Sequence, residues 1–129
     1  MTASGPFDVK VIPQPPGEDT VIGRLTLDKT FHGDLEATSK GQMLAFSSSI
    51  KGSAGYVAME QVTGILQGRQ GSFVLQHSGI MTRGDGRLAV TVVPDSGTED
   101  LVGLSGAMSI DISGAKHSYV FHYTIAGAG

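Results

Sequence analysis

The chain has 129 residues, a net charge of −3 and no cysteine. This length suits one domain with its own core, and we take residues 1–129 as that domain. The missing cysteine excludes disulfide bonds, thiolate catalysis and cysteine-ligated zinc, and the acidic balance gives no footprint for nucleic acid. With neither a signal peptide nor an apolar run that could span a membrane, we expect a cytoplasmic protein.

Alternating apolar and polar residues predict strands along most of the chain. The first is a short strand over residues 5–12, followed by a proline-rich connector over residues 13–19 that cannot join a hydrogen-bonded ladder. The next strand, residues 21–31, must turn its leucines inward, and the same alternation carries Lys29 inward as well. A third strand follows the turn at residues 32–34.

Residues 54–81 form the clearest hairpin, with two alternating runs joined by the glycine-rich turn 68–71. More than one register fits such a turn. The register that we assume places Glu60 opposite His77. A carboxylate and an imidazole then share a face that is otherwise apolar.

The last part of the chain predicts three more strands. A turn at residues 83–86 leads into the first of them, and a turn at residues 113–115 joins the other two. No segment shows a helical period. About eight strands joined mainly by tight turns are typical of a closed up-and-down barrel or a sandwich.

Glycines inside the strands favour the barrel. In the assumed registers Gly64 faces Phe73, and Gly106 faces Tyr123. A glycine relieves the strain of a curved strand, and an aromatic ring opposite covers the gap. The predicted fold is an all-β, eight-stranded antiparallel up-and-down barrel, and a lipocalin-like carrier is physically close to this interpretation.

Several segments resemble a bacterial family of uncharacterised function, namely residues 28–35, 52–58, 71–79, 93–98 and 117–119. The resemblance extends over residues 7–124. Members of that family look like the allene oxide cyclase barrel, which plant dirigent proteins share. The resemblance therefore implies an allene oxide cyclase-like barrel with an internal cavity and a tendency to form oligomers. It supplies no catalytic residue.

The assumed registers place inward-facing residues in rows around the wall. One predicted row is Met43, Glu60, His77 and Val92, and the next is Ala45, Ala58, Gly79 and Val90. The small side chains of the second row leave room for a ligand, unless Tyr119, Phe121 and Tyr123 fill the barrel from the opposite wall. The candidate ligand-binding residues are Lys29, Ala45, Tyr56, Ala58, Gly79, Val90, Val92 and Tyr119.

Glu60 and His77 are the candidate catalytic residues, as an acid/base pair. Burial raises the pKa of a carboxyl group, whereas a neighbouring imidazole opposes that rise by stabilising the charged form. The alternative is an interior ion pair that fixes the strand register and does no chemistry. Lys29 either pairs with Glu60, binds an anionic ligand such as a carboxylate, or lies at the barrel rim with its amine in water.

Three functions fit these residues. The first is a small-molecule enzyme of the cyclase or isomerase type that acts on an apolar substrate. The second is a non-catalytic carrier for an apolar or carboxylated molecule, and the third is a structural barrel whose interior is filled. We expect no cofactor, and the four histidines show no metal-ligand spacing.

The outward-facing positions predict partners of a different kind. Apolar residues there exceed what a monomer needs on its surface. We therefore expect a homo-oligomer, a dimer or a trimer, with no nucleic acid or membrane partner. The outward residues concerned are Val57, Met59, Ile65, Val74, Ile80 and Val93.

Overall fold

The computed structural model describes residues 1–15, 21–112 and 116–126. The strands are β1 (Thr2–Pro13), β2 (Gly23–Phe31), β3 (Leu35–Ser47), β4 (Ala54–Leu66), β5 (Arg69–Thr82), β6 (Asp85–Val92), β7 (Leu104–Asp111) and β8 (His117–Ile125), with a short 3-10 helix at Glu99–Leu101. Most of the predicted proline-rich connector and the predicted turn at 113–115 lie outside the described residues. Pro13 ends β1 rather than opening a connector.

The sheet is a closed barrel in which each strand pairs antiparallel with the next, and β1 closes the ring against β8. The predicted eight-stranded up-and-down barrel is therefore confirmed. The seam between β6 and β7 is the least paired, since Thr91 and Ala107 are the one bridged pair between these two described strands. The loop after β6 lies along β5 instead, where the Val93 amide donates to the Val74 carbonyl at 2.9 Å.

Two hairpin turns are tighter than predicted. Gln67 and Gly68, with φ of 46° and 86°, join β4 to β5, and Arg83 and Gly84, with φ of 46° and 93°, join β5 to β6. Positive φ at both central residues is the geometry of the two-residue turns that match the twist of a hairpin. The predicted turns are centred one residue too late along the chain.

The assumed register of the central hairpin is therefore wrong by two residues. His77 lies opposite Ala58 rather than opposite Glu60, whose partner is Leu75. A shift of two residues keeps each side chain on its face of the sheet, whereas a shift of one would reverse it. The inward-facing set was predicted correctly for this reason.

Of the two predicted glycine pairings, one is wrong and one is confirmed. Gly64 lies opposite Gly71 rather than Phe73, and a Cβ on Gly64 would clash with the β3 backbone. Gly106 does lie opposite Tyr123, so that prediction is confirmed. Both glycines allow close approach of neighbouring strands.

Aromatic rings fill one end of the barrel, which we call the closed end and which carries the turns at 32–34 and 67–68. Phe73 stacks on Phe121 with centroids 5.8 Å apart, and Phe31 meets Tyr119 edge-on at 5.4 Å. Leu101 of the 3-10 helix is buried against the same cluster. The aromatic residues that were predicted as possible filler occupy this end.

The opposite end, which we call the open end, carries the turns at 48–53 and 83–84. Its inward-facing residues reach solvent: Met81 is 45% exposed, Leu88 47% and Ile112 65%. These exposed fractions show that the barrel is open to solvent at this end.

Candidate functional site

An ion group lies at the middle of the barrel, below the open end. Lys29, Glu60 and His77 are 7%, 1% and 3% exposed. The Lys29 ammonium donates to Glu60 Oε1 at 2.9 Å, and His77 Nε2 lies 2.6 Å from the same oxygen. The Ser39 hydroxyl donates to Glu60 Oε2 at 2.5 Å. We call these four residues the buried ion group.

Neighbouring residues make room for these charges. Gly41 lies directly opposite Glu60, and a Cβ on this glycine would come within 2.7 Å of the Glu60 Cβ. The Lys29 ammonium also lies 5.4 Å and 5.8 Å from the ring centroids of Phe7 and Phe31. Aromatic faces attract a cation at such distances. The group is thus fully partnered within the barrel.

The contacts keep Glu60 ionised. Burial alone would raise the pKa of Glu60, but the hydrogen bond from His77, the charge of Lys29 and the hydrogen bond from Ser39 together lower this pKa from 4.5 to about 2. The sequence predicted these opposing influences, and the stabilising one prevails. Because an ionised carboxylate only accepts hydrogen bonds, Nε2 of His77 must carry a proton.

Tyr56 connects the buried ion group to the open end. Its hydroxyl lies 3.4 Å from His77 Nδ1, the ring nitrogen that faces away from Glu60. Burial, and then the charge of Glu60, raise the pKa of Tyr56, so this phenol stays protonated. Its ring occupies the space beside Gly79, where a Cβ would lie 2.8 Å from Cδ1 of the ring. Glycine is therefore required for this position of the ring.

A pocket of about 420 Å³ opens above Tyr56, within the range of small-molecule sites. Its surface is mostly apolar, with Ser47, Tyr56 and Arg87 as the polar side chains. The lining residues are Met43, Ala45, Phe46, Ser47, Ala54, Gly55, Tyr56, Gly79, Ile80, Met81, Gly86, Arg87, Leu88 and Ile112.

The structure distributes the predicted ligand-binding residues over three levels. Those that line the pocket are Ala45, Tyr56 and Gly79. The next level down is a row of Met43, Ala58, His77 and Val90, and below it is a row of Gly41, Glu60, Leu75 and Val92. The predicted row of small residues is thus corrected, because Tyr56 rather than Ala58 stands between Ala45 and Gly79.

Five predicted ligand-binding residues do not line the pocket: Ala58, Val90 and Val92 lie in the rows below it, and Lys29 and Tyr119 lie elsewhere. Lys29 pairs with Glu60, the first of the three options that the sequence left open. Tyr119 belongs to the closed end, where its hydroxyl donates to the His32 carbonyl at 2.6 Å and accepts from the Leu35 amide at 2.9 Å. These two hydrogen bonds anchor the turn between β2 and β3 to β8.

Sequence reasoning missed Ser39 and Arg87. Ser39 falls on the inward face in the alternation of β3, so the pattern contained the signal. Arg87 occupies an outward position on β6, and alternation gives no reason to place it at a pocket. It is among the lining residues because it lies near the beginning of β6, at the rim of the barrel.

The outer wall is apolar where it was predicted to be. Val57, Met59 and Ile80 are each about half exposed. A broader depression of about 750 Å³ is lined by Val57 and Met59 of this wall, together with residues of β2 and β3. Whether a second copy of the chain covers the wall remains a prediction. Within residues 1–15, 21–112 and 116–126, no helix is long and apolar enough to cross a bilayer, and no cluster of three potential ligands suits a metal ion.

Fold and site together define a small all-β barrel protein, closed at one end by aromatic rings and open to a pocket at the other. The chain belongs to the DUF3224 family of proteins of unknown function, whose family model matches residues 3–123. The predicted membership of an uncharacterised family is thus confirmed.

A solved structure shows how closely this barrel is shared. The chain is similar to the crystal structure of a protein with unknown function from the DUF3224 family of Shewanella oneidensis MR-1, with 52% identity and a TM-score of 0.94. The match covers 99% of this chain and 98% of that one. No curated protein matches the chain.

Proposed function

We propose that the protein binds a small apolar molecule in the open-end pocket and moves a proton on it, as an isomerase or cyclase does. The observation that carries the proposal is the position of His77. This imidazole has Glu60 on one side, at 2.6 Å, and the pocket residue Tyr56 on the other, at 3.4 Å.

The carboxylate sets the orientation and tautomer of the imidazole. In the neutral form of His77, Glu60 holds the proton on Nε2, which leaves the lone pair of Nδ1 directed towards Tyr56. A base oriented by a third group is the usual arrangement in acid–base catalysis. With its pKa lowered to about 2, Glu60 acts by positioning and stabilising His77 rather than by taking the proton itself.

Tyr56 supplies the complementary donor. Its bond to Nδ1 is long, so it is the contact that a ligand most readily replaces. The protonated phenol then donates to a carbonyl oxygen of the ligand, while Nδ1 accepts a proton from the adjacent carbon. An enolate forms on the ligand and an imidazolium forms beside Glu60. Return of the proton to another carbon of the enolate completes an isomerisation.

The test uses 1-tetralone, a neutral apolar ketone, as the probe. Binding is measured by saturation-transfer NMR, and exchange of its α hydrogens with D₂O by proton NMR. We expect binding and catalysed exchange, and loss of at least about 100-fold in the exchange rate for His77→Ala. The matched control is His122→Ala, because His122 is exposed on β8.

The second candidate, a non-catalytic carrier, has an observation in its favour as well. Both oxygens of Glu60 are already partnered, so the buried ion group is complete as a structural element. Binding of 1-tetralone without exchange would support the carrier and overturn the enzyme. Absence of binding would overturn both and leave a structural barrel.

The resemblance to the allene oxide cyclase and dirigent barrels belongs to this proposal too. It is supported by the closed eight-stranded topology and by the open-end pocket. The expected cytoplasmic location, the dimer or trimer, and the lack of a nucleic-acid or membrane partner stand as predictions beside it.

A further inference from the structure

Charge is unevenly distributed in the lining of the open-end pocket. Arg87 is the one charged residue among the described lining residues, and it lies at the rim. Within the described part of the chain, no ion pair of Arg87 with a carboxylate is found. The pocket therefore presents one unpaired cation next to an apolar surface.

Two rim turns bring further cations to the same place. The turns at 48–53 and 83–84 are tied together, since the Gly84 amide donates to the Gly52 carbonyl at 2.9 Å. They carry Lys51 and Arg83, both exposed. Asp85, which follows the second turn, is the carboxylate between them. Further round the rim, one more charge of each sign is supplied by Arg24 on β2 and Asp111 on β7.

The closed end has the opposite balance. Among the described residues there, the cations are Arg69 and the terminal ammonium of Met1, which donates to the Tyr123 carbonyl at 2.9 Å. The carboxylates there are Asp34, Glu36, Asp95, Glu99 and Asp100. Among the described residues, such a separation of charge favours the approach of an anion to the open end.

We propose that the ligand is an amphipathic anion, with its apolar body in the pocket and its carboxylate or sulfonate at the rim beside Arg87. This inference rests on the proposed function, because it takes the pocket to be a ligand site. It also places the acid group away from Lys29, for which binding an anionic ligand was one of three options, since Lys29 is buried and already pairs with Glu60.

The opposite orientation is disfavoured by charge. An anion placed deep in the pocket would meet no free cation, because the Lys29 ammonium is already paired with Glu60 at 2.9 Å. A charge that loses its hydration without gaining a partner is destabilised. The neutral end of the ligand therefore points towards Tyr56 and the acid group points outward.

The experiment compares two fluorescent probes that differ by one charged group, 8-anilinonaphthalene-1-sulfonate and neutral N-phenyl-1-naphthylamine. Both are titrated into the full chain at pH 7. Arg87→Gln should weaken the sulfonate about two- to fivefold. The triple variant Lys51→Gln, Arg83→Gln, Arg87→Gln should weaken it further, and added salt should do the same. Neither change should affect the neutral probe.

Two control variants locate the binding. Arg69→Gln removes a cation from the closed end and should leave both affinities unchanged. Ala45→Trp fills the pocket and should abolish binding of both probes; binding of the sulfonate that survives this change would place it elsewhere and overturn the inference. Neutral-probe binding combined with sulfonate binding that is insensitive to Arg87→Gln overturns the inference alone. Failure of both probes to bind the unaltered chain overturns the proposed function with it.

Discussion

The two ends of this barrel are built from the same alternating strands, yet they differ in what their inward side chains do. At the closed end the inward residues are large rings in mutual contact, such as Phe73 on Phe121. At the open end they are small or exposed, such as Gly79 and Leu88. The comparison indicates that one end supplies stability and the other supplies a cavity.

The buried ion group lies at the boundary between these two halves. Lys29 contacts the aromatic side through Phe7 and Phe31. His77 contacts the pocket side through Tyr56. The charged residues therefore separate a packed region from an accessible one, and changes at each level should have distinct consequences.

The largest expected difference is between matched truncations at the two ends. Phe73→Ala should lower the free energy of unfolding by about 3–5 kcal/mol, because it leaves a cavity in a packed core. Leu88→Ala, at a side chain that is 47% exposed, should lower it by less than about 1 kcal/mol. Urea denaturation of the two variants measures both. Similar losses of stability in the two variants would contradict the conclusion that the closed end supplies stability and the open end supplies a cavity.

A loss of similar or slightly smaller size is expected at the boundary. Glu60→Gln leaves the Lys29 ammonium buried without its carboxylate, which costs about 3–5 kcal/mol when one partner of a buried pair is removed. The double variant Glu60→Gln, Lys29→Met removes both charges and should recover much of the loss. If the double variant is no more stable than the single one, the two side chains do not interact as described.

The same residue predicts how stability depends on pH. The pKa of Glu60 is about 2 in the folded protein and 4.5 ordinarily, so its carboxylate stabilises the fold above pH 4.5. That contribution, roughly 3 kcal/mol, is lost as the pH falls from 4.5 towards 2. The free energy of unfolding, measured by urea denaturation at several pH values in this range, should change less with pH for Glu60→Gln than for the unaltered chain.

The most local change that we consider adds one methyl group at the pocket. Gly79→Ala places a Cβ against the Tyr56 ring, which can turn towards the open end, so we expect a loss of about 1 kcal/mol. The hydrogen bond to His77 should break, and the imidazole ¹⁵N resonances report this directly. Gly86→Ala is the control, since its Cβ would lie 4.0 Å from the nearest side-chain atom. Unchanged His77 resonances in Gly79→Ala would show that the ring position does not depend on this glycine.

Much of the fold could be predicted because alternation alone fixes which face each residue occupies. Lys29, Glu60 and His77 were placed inside on that ground, and all three are buried. The exact pairing could not be predicted, since Gly68 and its neighbours permit turns of two or four residues. The choice depends on whether Gln67 accepts a positive φ, which it does at 46°.

The buried positions of Glu60 and His77 were predictable, but the geometry of their contact was not. Glu60 and His77 meet diagonally across β4 and β5 rather than face to face, because side-chain length compensates for the offset. Arg87 was missed because its place beside the pocket depends on where β6 begins, and hydrophobic periodicity does not define strand boundaries. At the closed end, by contrast, the size of the aromatic side chains was enough to indicate that they could fill the barrel.

The ring of strands is not equally strong all round. β6 and β7 share one bridged pair among the described residues, whereas every other pair of neighbouring strands shares six or more. Thermal opening costs least where the fewest backbone hydrogen bonds must break. The barrel should therefore open first between β6 and β7, beside the pocket residues Leu88 and Ile112. A bulky ligand could enter through this opening while the aromatic rings at the closed end stay packed.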